Sequence, residues 1–101
     1  MLTFEKDFFV GETRNDFYIE PLMKSAWAAE LEVLEVIRQI CEKHAIRYFA
    51  AYGTLLGTVR HKGYIPWDDD IDIMMFREDY ERFLSAAPAE LTGEYRLYTP
   101  Y

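Results

Sequence analysis

Apolar positions recur with a helical period from about Leu22 to His44. Trp27, Leu31, Leu34, Ile37, Cys41 and His44 follow one another at intervals of four, three, three, four and three. That spacing draws one apolar stripe, and Glu32, Glu35, Gln39, Glu42 and Lys43 fall largely on the other side. Pro21 suits the first turn of this helix, where a missing N–H costs nothing. Before it, Phe8-Phe9-Val10 and Phe17-Tyr18-Ile19 read as two short strands around a turn, with Gly11 and Asn15-Asp16 as breakers.

After the helix the pattern shortens. Arg47 to Tyr52 is aromatic-rich and stops at Gly53, as a strand would. Thr54 to Val59 predicts a short helix with Thr54 near its N-terminus. A polar loop runs from Arg60 to Asp69, and Ile71 to Phe76 predicts a second strand. Glu78 to Ala86 predicts a helix with Tyr80, Phe83 and Leu84 as its apolar face. Pro88 and Gly93 punctuate the exit, and Tyr95 to Tyr98 reads as a last strand. This order predicts an α+β (mixed α/β) fold, a small mixed sheet flanked by helices. Residues 1–20 form a strand-rich lead, 21–45 the long helix, and 46–101 the part that carries the motifs.

Composition narrows the function classes. With 101 residues, half of them hydrophobic and 17% aromatic, one domain with a packed core is expected. The net charge of −7 excludes a surface that grips nucleic acid by neutralising phosphates. The same field would repel a phosphate-bearing substrate unless a bound cation intervened locally. A single cysteine, Cys41, assigned to the core face of the long helix, fits a reducing, cytoplasmic setting. The N-terminus lacks the signature of a signal peptide, and no stretch approaches the roughly 20 apolar residues of a membrane span, which leaves work at a membrane surface open.

The candidate chemistry lies in Asp68-Asp69-Asp70-Ile71-Asp72-Ile73. On a strand, Asp70 and Asp72 would share one face, about 6.6 Å apart, and the isoleucines would pack behind them. Such a carboxylate pair suits Mg²⁺ or Mn²⁺, which prefer hard oxygen donors. Asp68 has the same parity and is expected as a further ligand or a partner behind the ligands. An acidic turn in solvent is the alternative, but it would not run straight into an apolar strand. An EF-hand fails, because Ile73 stands where a glycine is required and Asp79 where a Glu is required.

Two neighbouring features fit the same reading. Gly53-Thr54, between a strand and a short helix, can present backbone N–H groups and a hydroxyl to a phosphate. Arg60-His61-Lys62-Gly63 is the dense cationic stretch of an acidic chain and can face anionic oxygens beside the metal. Trp67 is expected to pack beneath the site, and His44 to cap the long helix.

Taken together, Tyr52-Gly53-Thr54-Leu55-Leu56-Gly57, Arg60-His61-Lys62-Gly63 and Ile65-Pro66-Trp67-Asp68-Asp69-Asp70-Ile71-Asp72-Ile73 resemble the LicD family, to which fukutin-related proteins are related. Trp27-Ala28-Ala29-Glu30-Leu31 resembles the segment preceding that core. The resemblance implies a nucleotidyltransferase-like fold with a Gly-Ser/Thr turn followed by an Asp-x-Asp strand. It implies transfer of phosphocholine or a related phospho-alcohol from a CDP-linked donor such as CDP-choline to a cell-surface glycan or glycolipid, for example lipopolysaccharide or teichoic acid. Asp70 and Asp72 would hold Mg²⁺ or Mn²⁺ on the donor diphosphate. Gly53, Thr54, Arg60, His61, Lys62 and Asp68 would bind substrate.

Nucleotide transfer and a non-catalytic metal-binding fragment are the alternatives. The resemblance further implies a third carboxylate from a later strand, and Tyr101 falls where that strand is expected to begin. The chain therefore reads as the N-terminal part of the domain, or as a shortened member of the family that is not active alone. Glu94 has no motif to support it in that role, and no general base is assigned.

Overall fold

A computed structural model of the chain describes residues 2–99. It is an α+β fold of three helices and two small antiparallel sheets. A 3₁₀ turn, Lys6–Phe9, comes first, where the sequence pattern predicted a strand. The rings of Phe4, Phe8 and Phe9 form a cluster with centroids 4.9 to 5.9 Å apart. A turn brings these positions together, whereas a strand would send Phe8 and Phe9 to opposite faces.

The hairpin therefore pairs β1 (Glu12–Arg14) with β2 (Phe17–Ile19), Thr13 opposite Tyr18. Asn15 and Asp16 form its two-residue turn at φ 51° and 61°, the left-handed pair that such hairpins demand. Ile19 is fully buried, and Lys24, itself buried, pairs with Glu12 to tie the hairpin to the long helix.

That helix, α1, spans Pro21–Lys43 and begins on proline as expected. Its end is a Schellman motif. Ala45 adopts φ 54°, Ile46 N–H donates to Cys41 O at 2.8 Å, and Ala45 N–H donates to Glu42 O at 3.4 Å. His44 stands at the cap, and its imidazole meets Glu90 at 3.1 Å. Trp27 and Cys41 of the apolar stripe are buried, but Leu31, Leu34 and Ile37 between them are only half-buried. Leu31 and Leu34 wall cavities, and Ile37 both lines one of them and packs against the core.

The sheet that carries the motifs is smaller than its sequence pattern. β3 is Phe49–Ala50 and β4 is Ile73–Met74, with Phe49 opposite Met74 and Ala50 opposite Ile73. Tyr52, at φ 50°, already opens helix α2 (Tyr52–Arg60), which cuts β3 short and limits its pairing with β4. Helix α3 (Arg77–Glu90) runs four residues beyond its predicted end and carries Pro88 in its last turn. Phe83 and Ala87 of α3 pack against Ile40, Cys41 and Ile46 to form the main core. Asp79 is buried between Arg47 at 3.0 Å and Arg82 at 3.3 Å. Tyr95 to Tyr98, read as a strand, is loop, with no strand beside it among the described residues. Tyr101 lies outside the described residues. No described helix is long and apolar enough to cross a membrane.

Candidate functional site

The acid loop 68–72 precedes β4 instead of lying on it, so Asp70 and Asp72 do not sit on a paired strand. The spacing rule of a strand does not set their geometry; a set of ties to α1 and α2 does. Ala51 N–H donates to Asp72 O at 3.0 Å, and Asp72 N–H donates to Thr54 Oγ1 at 2.7 Å. Trp27 Nε1–H donates to Asp68 O at 2.7 Å. Gly53 lies so close to the loop that a Cβ there would stand 2.6 Å from Asp68 Oδ2.

These ties bring three carboxylates together. Oxygens of Asp68, Asp69 and Asp70 lie within 4.8 Å of one another, and Asp72 does not join that set. Asp68 is half-buried and its neighbours are exposed. Burial pushes the Asp68 carboxyl above its usual range, and the charge and hydrogen bond of Asp70 push it further. Below the loop is a cavity of about 140 Å³ walled by Gly53, Thr54, Tyr64, Asp68 and Asp70. A second, of about 230 Å³, is walled by Glu30, Asp70 and Ile71.

Glu30 is the acid that the sequence pattern missed. It sits one helical turn after Trp27 on α1, accepts the Tyr64 hydroxyl at 2.9 Å, and is half-buried. Burial raises its pKa, and the charges of Asp69 and Asp70 raise it further. Its spacing of three from Trp27 was the available signal, since it places both side chains on one face.

The basic loop divides differently from its expected role. Arg60 and His61 line neither acidic cavity; with Arg14, Asn15 and Trp67 they wall a wide groove of about 800 Å³ on the other side of Tyr64. Arg60 Nε donates to His61 Nδ1 at 3.4 Å. Lys62 is exposed at φ 56°. Trp67 is 52% exposed, edge-on to both Phe17 and His61, so it forms a surface of the groove instead of packing beneath the acids.

Residues 45–97 match the family model described as LicD/FKTN/FKRP, nucleotidyltransferase domain. The chain belongs to the LicD family.

Among curated LicD relatives, it is 44% identical over 69 residues to lipopolysaccharide cholinephosphotransferase LicD of Haemophilus influenzae. That match covers 68% of this chain and 26% of the relative. It is 38% identical over 48 residues to human ribitol 5-phosphate transferase FKRP, covering 48% of this chain and 10% of that protein. The chain thus spans about a quarter or less of the relatives it matches. No solved structure matches it. The family match includes the Gly53-Thr54 turn, the basic loop and every aspartate of the acid loop.

Proposed function

We propose that the chain carries the donor-binding part of an enzyme that transfers a phospho-alcohol, such as phosphocholine, from a CDP-linked donor to a glycan hydroxyl and releases CMP. The observation that carries this reading is the convergence of the Asp68, Asp69 and Asp70 carboxylates beside the Gly53-Thr54 turn. The relatives named as cholinephosphotransferase and ribitol 5-phosphate transferase support the class of group moved.

The donor set suits Mg²⁺ or Mn²⁺: the ligands are hard oxygens, and burial first, then the neighbouring charge of Asp70, raises the Asp68 carboxyl, the second of which a cation would relieve. Asp68 and Asp70 would hold the ion, and Asp72, outside the converging set, would be the further ligand that the Asp-x-Asp pattern implies. When bound, the ion neutralises the diphosphate and stabilises charge on the leaving CMP. Gly53 at the start of α2 would receive a phosphate oxygen on its backbone N–H, while the Thr54 N–H donates to Ala51 O at 3.1 Å and supports the turn. Arg60 and His61 of the neighbouring groove, with the exposed Lys62 next to them in the chain, would attract the anionic donor. In the reaction, an acceptor oxygen forms a bond to the phosphorus as the bond to the CMP oxygen breaks, and the hydroxyl proton passes to solvent or a base.

Residues 46–101 would form the donor-binding core, with 1–20 and 21–45 as its support. A buried free Cys41 fits a cytoplasmic enzyme working on glycolipid at the membrane surface.

Incubation of the protein with Mn²⁺ and CDP-choline, and separately with CTP, tests the reading. Release of CMP from CDP-choline, lost in Asp70→Asn, supports phospho-alcohol transfer. Pyrophosphate release from CTP supports nucleotide transfer, which the family model's description favours as the second reading. Neither product, with Mn²⁺ still bound, would leave a metal-binding fragment.

A further inference from the structure

Three residues hold the acid loop against α1, and the proposed chemistry uses none of them. Trp27 Nε1–H donates to the Asp68 carbonyl at 2.7 Å. The Tyr64 ring lies parallel on the indole, with centroids 4.5 Å apart and planes 2° from parallel. The Tyr64 hydroxyl then donates to Glu30 Oε1 at 2.9 Å. Trp27 and Glu30 are one turn apart on a 23-residue helix, so a rigid element presents both a donor and an acceptor to the loop.

We propose that Trp27, Tyr64 and Glu30 are positioning residues that fix the Asp68–Asp70 carboxylates and so set the cation affinity of the site. Asp68 is constrained at both ends. Its carbonyl is held by the indole from α1, and its carboxylate lies against the backbone of Gly53 in α2. With the peptide bonded to one helix and the carboxylate packed close against another, Asp68 has restricted freedom, and Asp70 two residues on follows it. Releasing the indole bond frees the peptide, and the three carboxylates no longer share one geometry. Tyr64 contributes by locking the indole plane, and Glu30 by locking Tyr64.

This inference rests on the cation-binding reading, so its test has two readouts, one of them free of metal. The first is amide hydrogen exchange at residues 67–72 in metal-free protein, for Trp27→Phe, Tyr64→Phe and Glu30→Ala. Ile40→Val, in the core between α1 and α3, is the control for lost stability. The second is Mn²⁺ affinity by calorimetry in the same proteins.

Exchange of the loop amides is expected to rise about tenfold in the three variants and to stay unchanged in Ile40→Val. The Mn²⁺ dissociation constant is expected to rise about tenfold, the order seen when partners behind metal ligands are removed. Glu30→Gln, which keeps an acceptor for Tyr64, should restore loop protection. Unchanged loop exchange, or an equal change in Ile40→Val, overturns the inference. If wild-type protein binds no Mn²⁺ while the variants still loosen the loop, the cation reading fails and the positioning of the loop stands. Should Trp27→Phe fail to fold, Tyr64→Phe, which keeps the ring stack, decides the matter.

Discussion

Thr54 Oγ1 accepts the backbone N–H of Asp72 at 2.7 Å, and the hydroxyl is thereby committed to the acid loop instead of capping its own helix. The glycine-threonine turn and the acidic segment, 18 residues apart in sequence, are one hydrogen-bonded unit. Whatever moves the start of α2 moves the aspartates.

Replacing Thr54 with Val keeps the shape and removes the acceptor, leaving the Asp72 N–H unpaired. Urea unfolding is expected to show a loss of about 1–2 kcal/mol, the usual cost of an orphaned donor. Thr54→Ser, which retains the hydroxyl, should stay within about 0.5 kcal/mol of wild type. Equal losses in both variants would refute the importance of this bond.

Gly53→Ala tests the close approach directly. A methyl group 2.6 Å from Asp68 Oδ2 must displace that carboxylate, because the alternative is to shift the backbone of α2. The protein should remain folded by circular dichroism while Mn²⁺ affinity falls about tenfold, as expected for a misplaced ligand. Wild-type affinity in this variant would show that Asp68 is not a ligand.

The acid loop is expected to cost stability in the absence of a cation. Asp68 has its pKa raised in the folded state, chiefly by burial and by Asp70. A carboxyl raised on folding binds more protons in the native state, so its stabilising effect is present at low pH and is lost as pH rises through the shifted value. Asp70→Asn removes the repelling charge. In EDTA at pH 7, its Tm should rise by about 2–4 °C, on the order of 0.5 kcal/mol. The difference from wild type should shrink toward pH 4. A lower Tm for Asp70→Asn at pH 7 would contradict the repulsion.

Ala45 offers a test remote from the site. It holds φ 54° in the Schellman motif that ends α1, a conformation for which glycine has no steric penalty. Ala45→Gly should therefore stabilise the protein by about 0.5–1 kcal/mol in urea, against the usual effect of introducing glycine. Destabilisation would mean that chain entropy outweighs relief of strain there.

The residues that carry the motifs were legible in the sequence because each has a local cause. The period of the apolar stripe defines α1 within a residue or so at each end, and Asn15-Asp16 defines a hairpin turn. Phe8 to Val10 misled because aromatic richness favours a strand on average, while a cluster of three neighbouring rings favours a turn here. The strand assigned to Ile71–Phe76 was too long because strand length depends on the partner, and β3 ends at Ala50. Glu30 shares a helix face with Trp27, but its place at the site was not legible from that spacing alone, since only the folded loop brings Asp69 and Asp70 near α1.

By itself, the sequence determined the membership of the LicD family, the three helices and the concentration of carboxylates between residues 68 and 72, because these follow from local pattern and residue identity. The tertiary structure alone decided which carboxylates converge, that Arg60 and His61 face a separate groove, and that Trp27, Tyr64 and Glu30 brace the loop. The reason is physical: a spacing rule fixes side-chain directions only inside a regular element. The acid loop is not one, and its geometry is set by hydrogen bonds to residues 18 and 41 positions away.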